Sequence, residues 1–137
     1  MSDFAHSAAF DVRDYECDLQ GIVNNANYQH YLEHARHLYL RELGIDFSVL
    51  SARGANLVVI RVEIDYLSPL RSGESFTVRS RIERVSRVRF VFIQEIDRAD
   101  RSPVARAKIF GATMDGAGRA TRPPPEVNAV MPPIALT

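Results

Sequence analysis

The feature that most constrains this chain is a single long run of helical periodicity, after which only strand-like patterns occur. Between Ala26 and Leu43 the apolar side chains recur at intervals of three and four residues, which is the stripe of an amphipathic helix. Asn24 or Asn25 can cap the start of this helix, and Gly44 tolerates the left-handed conformation that ends many helices. A helix of this length spans about 27 Å, the width of a small domain. The fold must therefore be built around one helix.

Strand-like segments on both sides of the helix define the rest of the fold. A short one at residues 9–14 precedes the helix, and four follow it at residues 56–67, 75–85, 87–97 and 103–114. Apolar and polar side chains alternate along them, as in strands with one buried face. The shared face is expected to carry Val58, Ile60, Val62, Ile64 and Tyr66 in the first of the four, and the small residues Ala105, Ala107 and Gly111 in the last. This order predicts an α+β fold, in which an antiparallel five-stranded sheet wraps around one long helix.

Length and composition narrow the classes of protein that remain. The 137 residues suffice for one domain, residues 1–137, with a core at about 8–114 and a proline-rich tail at 115–137 that drapes over the surface or is disordered. Seventeen basic and seventeen acidic residues argue against a nucleic-acid binder. The single cysteine, Cys17, excludes an internal disulfide and a multi-cysteine metal site. With no signal-peptide pattern and no apolar run near the ~20 residues of a membrane span, a cytoplasmic location is expected.

The segment from Tyr15 to Tyr28 holds the residues most informative about function. It places Asp18 in a polar loop that bends at Gly21 and leads into the helix N-terminus near Asn25. The first turn of a helix has unpaired N–H groups and a partial positive charge, so it can bind an oxyanion and polarise a carbonyl. A carboxylate a few residues upstream could attack the carbonyl carbon or activate a water. The structural alternative is that Asp18 only forms an Asx turn or caps the helix.

Two motifs in this chain resemble those of the 4-hydroxybenzoyl-CoA thioesterase family of hotdog-fold proteins and of the thioesterases associated with the Tol-Pal system. The first is Asp18-x-x-Gly21-x-Val23-Asn24-x-x-x-Tyr28, which continues along the helix to Leu43-Gly44. The second is Val-x-Ile-Asp-Tyr-Leu-Ser-Pro-Leu-x-x-Gly-Glu at residues 62–74. The likeness covers residues 8–114, roughly the expected core. It implies the hotdog fold.

The resemblance also implies an activity, the hydrolysis of an acyl- or aroyl-CoA thioester to the free acid and CoA, without a metal or other cofactor. Asp18 would act as nucleophile or as general base for water, the backbone N–H of Asn25 would polarise the carbonyl, and Gly21 would allow close approach of the loop. Asn24 and Tyr28 would contact the substrate. Many relatives have His after the glycine, whereas this chain has Ile22, which implies a mechanism that relies on Asp18 alone. Sites shared across a dimer interface imply a homodimer or homotetramer.

Other residues are weaker candidates for a functional role. Glu33 could be a second carboxylate, but an ion pair with Arg36 on the helix surface explains it more simply. His30 and His34, or His30 and His37, could ligate a metal, although no third ligand lies nearby in the sequence. Cys17 could be a nucleophile but has no identifiable base, so a packing role is favoured.

Three functional alternatives stay open at this point. The acyl group could be carried by acyl carrier protein instead of CoA. A hotdog dehydratase or hydratase would need a His–acid pair, and the segment around Asp18 lacks that histidine. The chain could also be a non-catalytic acyl-binding protein, because fold does not fix function.

Overall fold

Strands and helices lie close to where the sequence predicts them. A computed structural model describes residues 4–132, so the first three and last five residues of the expected domain lie outside the described part. The strands are β1 (His6–Asp11), β2 (Asn56–Tyr66), β3 (Ser75–Arg84), β4 (Arg89–Arg98), β5 (Pro103–Met114) and β6 (Ala120–Thr121). The helices are α1 (Asn25–Glu42), α2 (Phe47–Ala52) and α3 (Pro125–Val130), and a 3-10 turn spans Asp14–Glu16.

The strands form one antiparallel sheet in the order β1-β3-β4-β5-β2, and the two-residue β6 pairs with the end of β5. The edge strands are therefore β1 and β2. The predicted α+β arrangement, one sheet around one long helix, is confirmed.

Helix α1 begins and ends as its sequence predicts. The side chain of Asn24 accepts a hydrogen bond from the N–H of Ala26 at 3.0 Å, which caps the first turn. Gly44, with a φ of +82°, follows the last turn in the left-handed conformation. The helix buries one face against the sheet: Tyr28, Tyr31, Leu32, Ala35, Tyr39 and Leu40. Leu43, expected on this stripe, lies beyond the last turn and is 39% exposed.

A buried polar cluster joins the middle of α1 to the sheet. The amide of Gln94, which is fully buried, donates to the carbonyl of Leu32 and to the hydroxyl of Ser80, both at 3.0 Å. Its oxygen accepts from Arg36 at 3.1 Å, and burial lowers the pKa of Arg36 to about 10. No ion pair joins Glu33 to Arg36 in the described chain, because Arg36 turns inward to Gln94. The prediction of a surface ion pair between Glu33 and Arg36 is therefore wrong.

Strand β2 departs from simple alternation because it contains a bulge. Its pairing with β5 shifts between Val59 and Arg61, so Ile60 has no partner opposite it. An extra residue reverses the faces of all residues on one side of it. Val62 and Ile64 lie opposite Ile109 and Ala107, which belong to the core, whereas Val58 lies on the other face. The expectation that five apolar residues share one face is wrong for this reason.

Two short helices lie outside the central strands and α1. Residues 45–55 show no clear periodicity in the sequence, but Asp46 accepts hydrogen bonds from the N–H groups of Ser48 and Val49 and starts α2, which buries Leu50. Helix α3 belongs to the proline-rich segment and buries Val127. Arg84 donates to the carbonyls of Asn128 and Pro132, which fixes this segment at the end of β3.

Gly111 gives a test of the core packing. A Cβ atom at this position would lie 2.5 Å from Cε2 and 2.6 Å from Cζ of Phe90, which covers the glycine from the neighbouring strand. We expect Gly111→Ala to lower the free energy of unfolding by about 1–3 kcal/mol through overpacking, measured by urea denaturation. Gly116→Ala is the control, because nothing lies within 4 Å of its Cβ and its φ is not positive. Equal midpoints for both variants would contradict this packing.

Candidate active site

The segment before α1 is fastened to the loop that joins β2 to β3. The N–H of Val23 donates to the carbonyl of Leu70 at 2.8 Å, and Ile22 forms an isolated antiparallel bridge with Arg71. Within the segment, Cys17 and Val23 form a second bridge. Asp18 therefore lies at the tip of a small turn, at the end of the sheet where β3 begins.

The turn at Asp18 orients its carboxylate. Oδ1 accepts hydrogen bonds from the N–H groups of Gln20 at 2.8 Å and Ile22 at 3.4 Å. The N–H of Gly21, with a φ of +78°, donates to the carbonyl of Asp18 at 3.0 Å. Asp18 thus forms the Asx turn of the structural alternative, but this uses only one oxygen. Oδ2 accepts no hydrogen bond from residues 4–132, and the side chain is exposed.

The N-terminus of α1 offers a free donor near this carboxylate. The cap at Asn24 uses the N–H of Ala26, and the N–H of Asn27 donates to the carbonyl of Asn24. The N–H of Asn25 has no hydrogen-bond partner within the described chain. It lies in the first turn, where unpaired donors and the helix dipole favour negative charge.

A cavity of about 220 Å³ opens beside this donor. It is lined by Ile22, Val23, Asn25, Tyr28, Tyr66, Leu67, Ser68 and Pro69. Asp18 adjoins it through Ile22, whose N–H bonds the carboxylate. Asn24 serves as the helix cap and does not line the cavity, so of the two predicted substrate-contact residues only Tyr28 lines it, beside the predicted donor Asn25.

The hydroxyl of Tyr28 is a second polar group at this cavity. It accepts a hydrogen bond from the N–H of Leu70 at 3.0 Å, and no acceptor for its own proton occurs in residues 4–132. Burial raises the pKa of Tyr28, and the Leu70 hydrogen bond and the charge of Arg98 oppose part of that rise. The phenol therefore stays protonated near neutral pH and can donate to a ligand.

Several residues of the cavity could not be assigned to a site from the sequence. Tyr66 and Leu67 are 47% and 52% exposed, although both are large and apolar. They belong to the motif at residues 62–74, whose resemblance was the only signal for them. The ring of Tyr66 contacts that of Tyr28, with centroids 5.3 Å apart, and this contact joins residues 38 positions apart, which no local pattern encodes.

The weaker candidates take up structural positions. Nδ1 of His30 lies 3.2 Å from Oδ1 of Asn27, His34 packs on Phe10, and His37 packs on Phe47. The described chain contains no group of three or more His, Cys, Asp or Glu side chains that could hold a metal.

Cys17 is a poor nucleophile in this setting. Partial burial and the carboxylates of Asp14 and Asp18 raise the pKa of its thiol, which disfavours the thiolate. Within residues 4–132, no helix has the length and apolar character needed to cross a membrane.

Comparisons with known proteins bear on what this site does. The thioesterase-like superfamily matches residues 12–131 of the chain. A chloroplastic acyl-acyl carrier protein thioesterase of Arabidopsis thaliana is 38% identical over 125 residues, which are 90% of this chain and 66% of that protein. An acyl-CoA thioesterase of Helicobacter pylori is 30% identical over 101 residues, 71% of this chain and 73% of that protein. This chain thus spans about two thirds of the length of its plant relative.

A solved structure supports the fold independently. The crystal structure of a 1,4-dihydroxy-2-naphthoyl-CoA thioesterase from Synechocystis superimposes with a TM-score of 0.87 at 19% identity, covering 91% of this chain and 93% of that one. At this identity the likeness concerns the fold alone. The hotdog fold and the resemblance to thioesterases, both expected from the two sequence motifs, are confirmed.

Proposed function

Because this chain belongs to the thioesterase-like superfamily, we propose that it hydrolyses an acyl- or aroyl-CoA thioester to the free acid and CoA at the Asp18 turn. The observation that carries this proposal is that the Asp18 carboxylate accepts a hydrogen bond from the N–H of Ile22, which lines the same cavity as Asn25. The carboxylate of Asp18 has a free oxygen, and the N–H of Asn25 is an unpaired donor in the first turn of α1. An acid and an oxyanion donor are the two parts that acyl transfer needs.

The thioester carbonyl would accept a hydrogen bond from the N–H of Asn25, with the hydroxyl of Tyr28 available as a second donor. In one route Asp18 takes a proton from water as the water oxygen attacks the carbonyl carbon. In the other, Asp18 attacks directly and forms an anhydride that water then hydrolyses. In both routes the C–S bond breaks, the thiolate leaves and is protonated, and the acid is released. Gly21 serves by allowing the turn that orients Asp18.

This chemistry needs no metal or other cofactor, because a thioester carbonyl is already reactive. Asp18, two donors and a water suffice as reacting groups in this proposal, and CoA enters only as part of the substrate. We propose that one domain carries this activity, with its core at residues 8–114. A cytoplasmic location stays a prediction.

The free edge of β2 supports a homodimer. This strand has 11 residues and pairs only with β5 in the described chain. It exposes large apolar side chains at Val59, Ile60, Val62 and Tyr66, and Leu67 directly after the strand is exposed as well. A long apolar edge strand is a template for pairing with another strand. Antiparallel pairing of two β2 strands would cover these side chains and place the cavity at Tyr66 and Leu67 on the subunit boundary.

Three arginines at the end of the sheet opposite Asp18 suit the phosphates of the molecule that carries the acyl group. Arg84, Arg87 and Arg122 line an open cavity of about 640 Å³, and none of them forms an ion pair within residues 4–132. Guanidinium groups bind phosphate through paired hydrogen bonds. The segment around Asp18 is acidic, since residues 11–18 contain four carboxylates and one arginine. These carboxylates would repel the phosphates of the acyl carrier, so the phosphates need a basic surface elsewhere on the protein.

Dimer geometry would bring this arginine cavity to the Asp18 end of the partner subunit. Within one protomer the two lie at opposite ends of β3, about 33 Å apart for a strand of 10 residues. When two β2 strands pair in antiparallel orientation, the arginine end of one subunit's sheet lies on the same side as the Asp18 end of its partner's sheet. The partner's arginine cavity would then lie three or four strands away, roughly 15–20 Å at the usual strand spacing. The pantetheine arm of CoA would bridge the two.

Acyl carrier protein is the second candidate carrier, and the Arabidopsis relative's name favours it. Its phosphopantetheine group has the same thioester and one of the same phosphates, so the arginine cavity suits both. The ratio of kcat/KM for the same acyl group on CoA and on acyl carrier protein decides between them.

The first prediction concerns Asp18. We expect Asp18→Asn to lower kcat at least about a hundredfold, because the amide keeps the turn but cannot act as base or nucleophile. Release of CoA thiol from a panel of short, long and aromatic acyl-CoAs measures this.

Asp115→Asn is a closely matched control. Oδ1 of Asp115 accepts from the N–H groups of Ala117 and Arg119, as Oδ1 of Asp18 accepts from those of Gln20 and Ile22. Gly118 takes the part of Gly21, with a φ of +81°. The control should keep the native kcat. Equal activity of native protein and Asp18→Asn would show that Asp18 is structural.

The second prediction concerns assembly. Val62→Lys places a charge on the free edge strand, so we expect it to convert a dimeric or tetrameric native protein to a monomer with reduced activity. Sedimentation velocity measures the change. Val85→Lys adds the same charge at another exposed apolar residue, away from β2, and should keep the oligomeric state of the native protein. A monomeric native protein, or an unchanged Val62→Lys oligomer, would rule out this interface.

The third prediction concerns the carrier. Hydrogen bonds to charged groups contribute about 1.5–3 kcal/mol each, so Arg87→Ala combined with Arg122→Ala should raise KM for acyl-CoA at least tenfold. KM for the corresponding N-acetylcysteamine thioester, which has no phosphate, should not change. Arg84 is left intact because it also holds the carbonyls of the α3 segment. Parallel increases of KM for both substrates would refute phosphate recognition here.

A further inference from the structure

The side chain of Arg98, at the end of β4, makes several polar contacts with the loop between β2 and β3. Its guanidinium donates to the hydroxyl of Ser68 at 2.7 Å and to the carbonyl of Pro69. Its Nε forms an ion pair with Glu74 at 2.9 Å, and it also reaches the hydroxyl of Ser102 at 3.3 Å. The side chain is 19% exposed, so these contacts are largely shielded from water.

The loop that Arg98 holds is the one that supports the proposed site. Ser68 and Pro69 line the cavity beside Asn25. The next residue, Leu70, donates its N–H to the hydroxyl of Tyr28 and accepts from the N–H of Val23. Glu74 accepts from the N–H of Arg71 at 2.8 Å and so joins the same cluster.

Besides Arg98 and the contacts of Leu70 and Arg71 with the Asp18 segment, three hydrogen bonds hold the first residues of this loop. The N–H groups of Leu67 and Ser68 share one acceptor, the carbonyl of Val104, at 2.8 and 3.2 Å. The hydroxyl of Ser68 donates to the carbonyl of Pro103 at 2.6 Å. Pro69 has no N–H to donate, so its carbonyl bond to Arg98 is the polar contact that holds the loop at that residue.

We infer that Arg98 is a positioning residue for thioester hydrolysis, acting through the Ser68–Leu70 loop on the Tyr28 hydroxyl and the Asp18–Asn25 turn. Arg98 does not line the cavity and contacts neither Asp18 nor Asn25, so it acts on them through the loop that it holds. This inference rests on the proposed function of the Asp18 turn. A planar guanidinium can reach several acceptors at once, which the single ammonium of lysine cannot do in this arrangement.

The expected kinetic signature is a loss of kcat with little change in KM. Displacement of reacting groups by about 1 Å can cost about a hundredfold in rate, so we expect Arg98→Lys to lower kcat by 10- to 100-fold. KM for acyl-CoA should stay within about twofold, because the carrier contacts proposed at Arg87 and Arg122 are distant. Ser68→Ala removes the bond from Arg98 together with the Ser68–Pro103 bond but leaves the contacts of Arg98 with Pro69 and Glu74, so it should give a smaller loss of kcat.

Rescue separates positioning from a general loss of structure. Guanidinium ion at concentrations below the onset of unfolding should restore part of the kcat of Arg98→Ala, whereas equal sodium chloride should not. Arg81→Ala is the matched control: Nε of Arg81 pairs with Glu83 at 2.8 Å on the same sheet, away from the loop. It should keep the native kcat.

The inference is overturned if Arg98→Lys and Ser68→Ala both keep the native kcat, or if only KM rises. Ser68→Ala keeps the test valid should the Arg98 variants fail to fold, because it removes a single hydroxyl. Asp18→Asn is assayed in the same series. Native activity in that variant would refute the proposed function itself, whereas inactive Asp18→Asn beside fully active Arg98→Lys would refute only the role of Arg98.

Discussion

Two hydrogen bonds to Leu70 hold the start of α1 against the end of the sheet, and the rest of the proposed site depends on them. The N–H of Leu70 donates to the hydroxyl of Tyr28 in the first turn of the helix, and the N–H of Val23 just before the helix donates to the carbonyl of Leu70. Together they fix where the Asn25 N–H points relative to the Asp18 turn. An acid and an oxyanion donor act on one carbonyl only at a defined separation, and local sequence cannot set that separation. A contact from a distant loop does so here.

The turn at Asp18 is not special as a turn, since Asp115 forms the same one between β5 and β6. In both, the carboxylate accepts from the N–H groups two and four residues later, and a left-handed glycine lies three residues later. Only the Asp18 turn leads into a long helix and adjoins a cavity. The structural reading of this aspartate and the functional one are therefore compatible: the turn orients one oxygen and leaves the other free for chemistry.

Periodicity predicted α1 and the five main strands because each has a strong local signal, such as the Asn24 cap and the strand alternation. Periodicity did not predict the local departures from regular strands and loops, because packing decides them. The bulge at Ile60 leaves no mark in the alternation, and α2 is too short for its period to show. Asp18, Asn25 and Tyr28 could be proposed from the sequence because they lie within one segment. The roles inferred for Arg98 and Arg122 could not be foreseen, since each depends on contacts between residues far apart in sequence.

In the proposed mechanism, the Asn25 N–H and the Asp18 carboxylate act on the same thioester carbonyl. The most direct test is the infrared spectrum of an acyl-CoA with a carbon-13 carbonyl, bound to the Asp18→Asn protein so that it is not hydrolysed. A carbonyl held on the helix N-terminus is polarised, so its stretching band should move to lower frequency than in free acyl-CoA. If the bound thioester kept the frequency of the free one, the carbonyl would lie away from the Asn25 N–H, which would contradict the proposed mechanism.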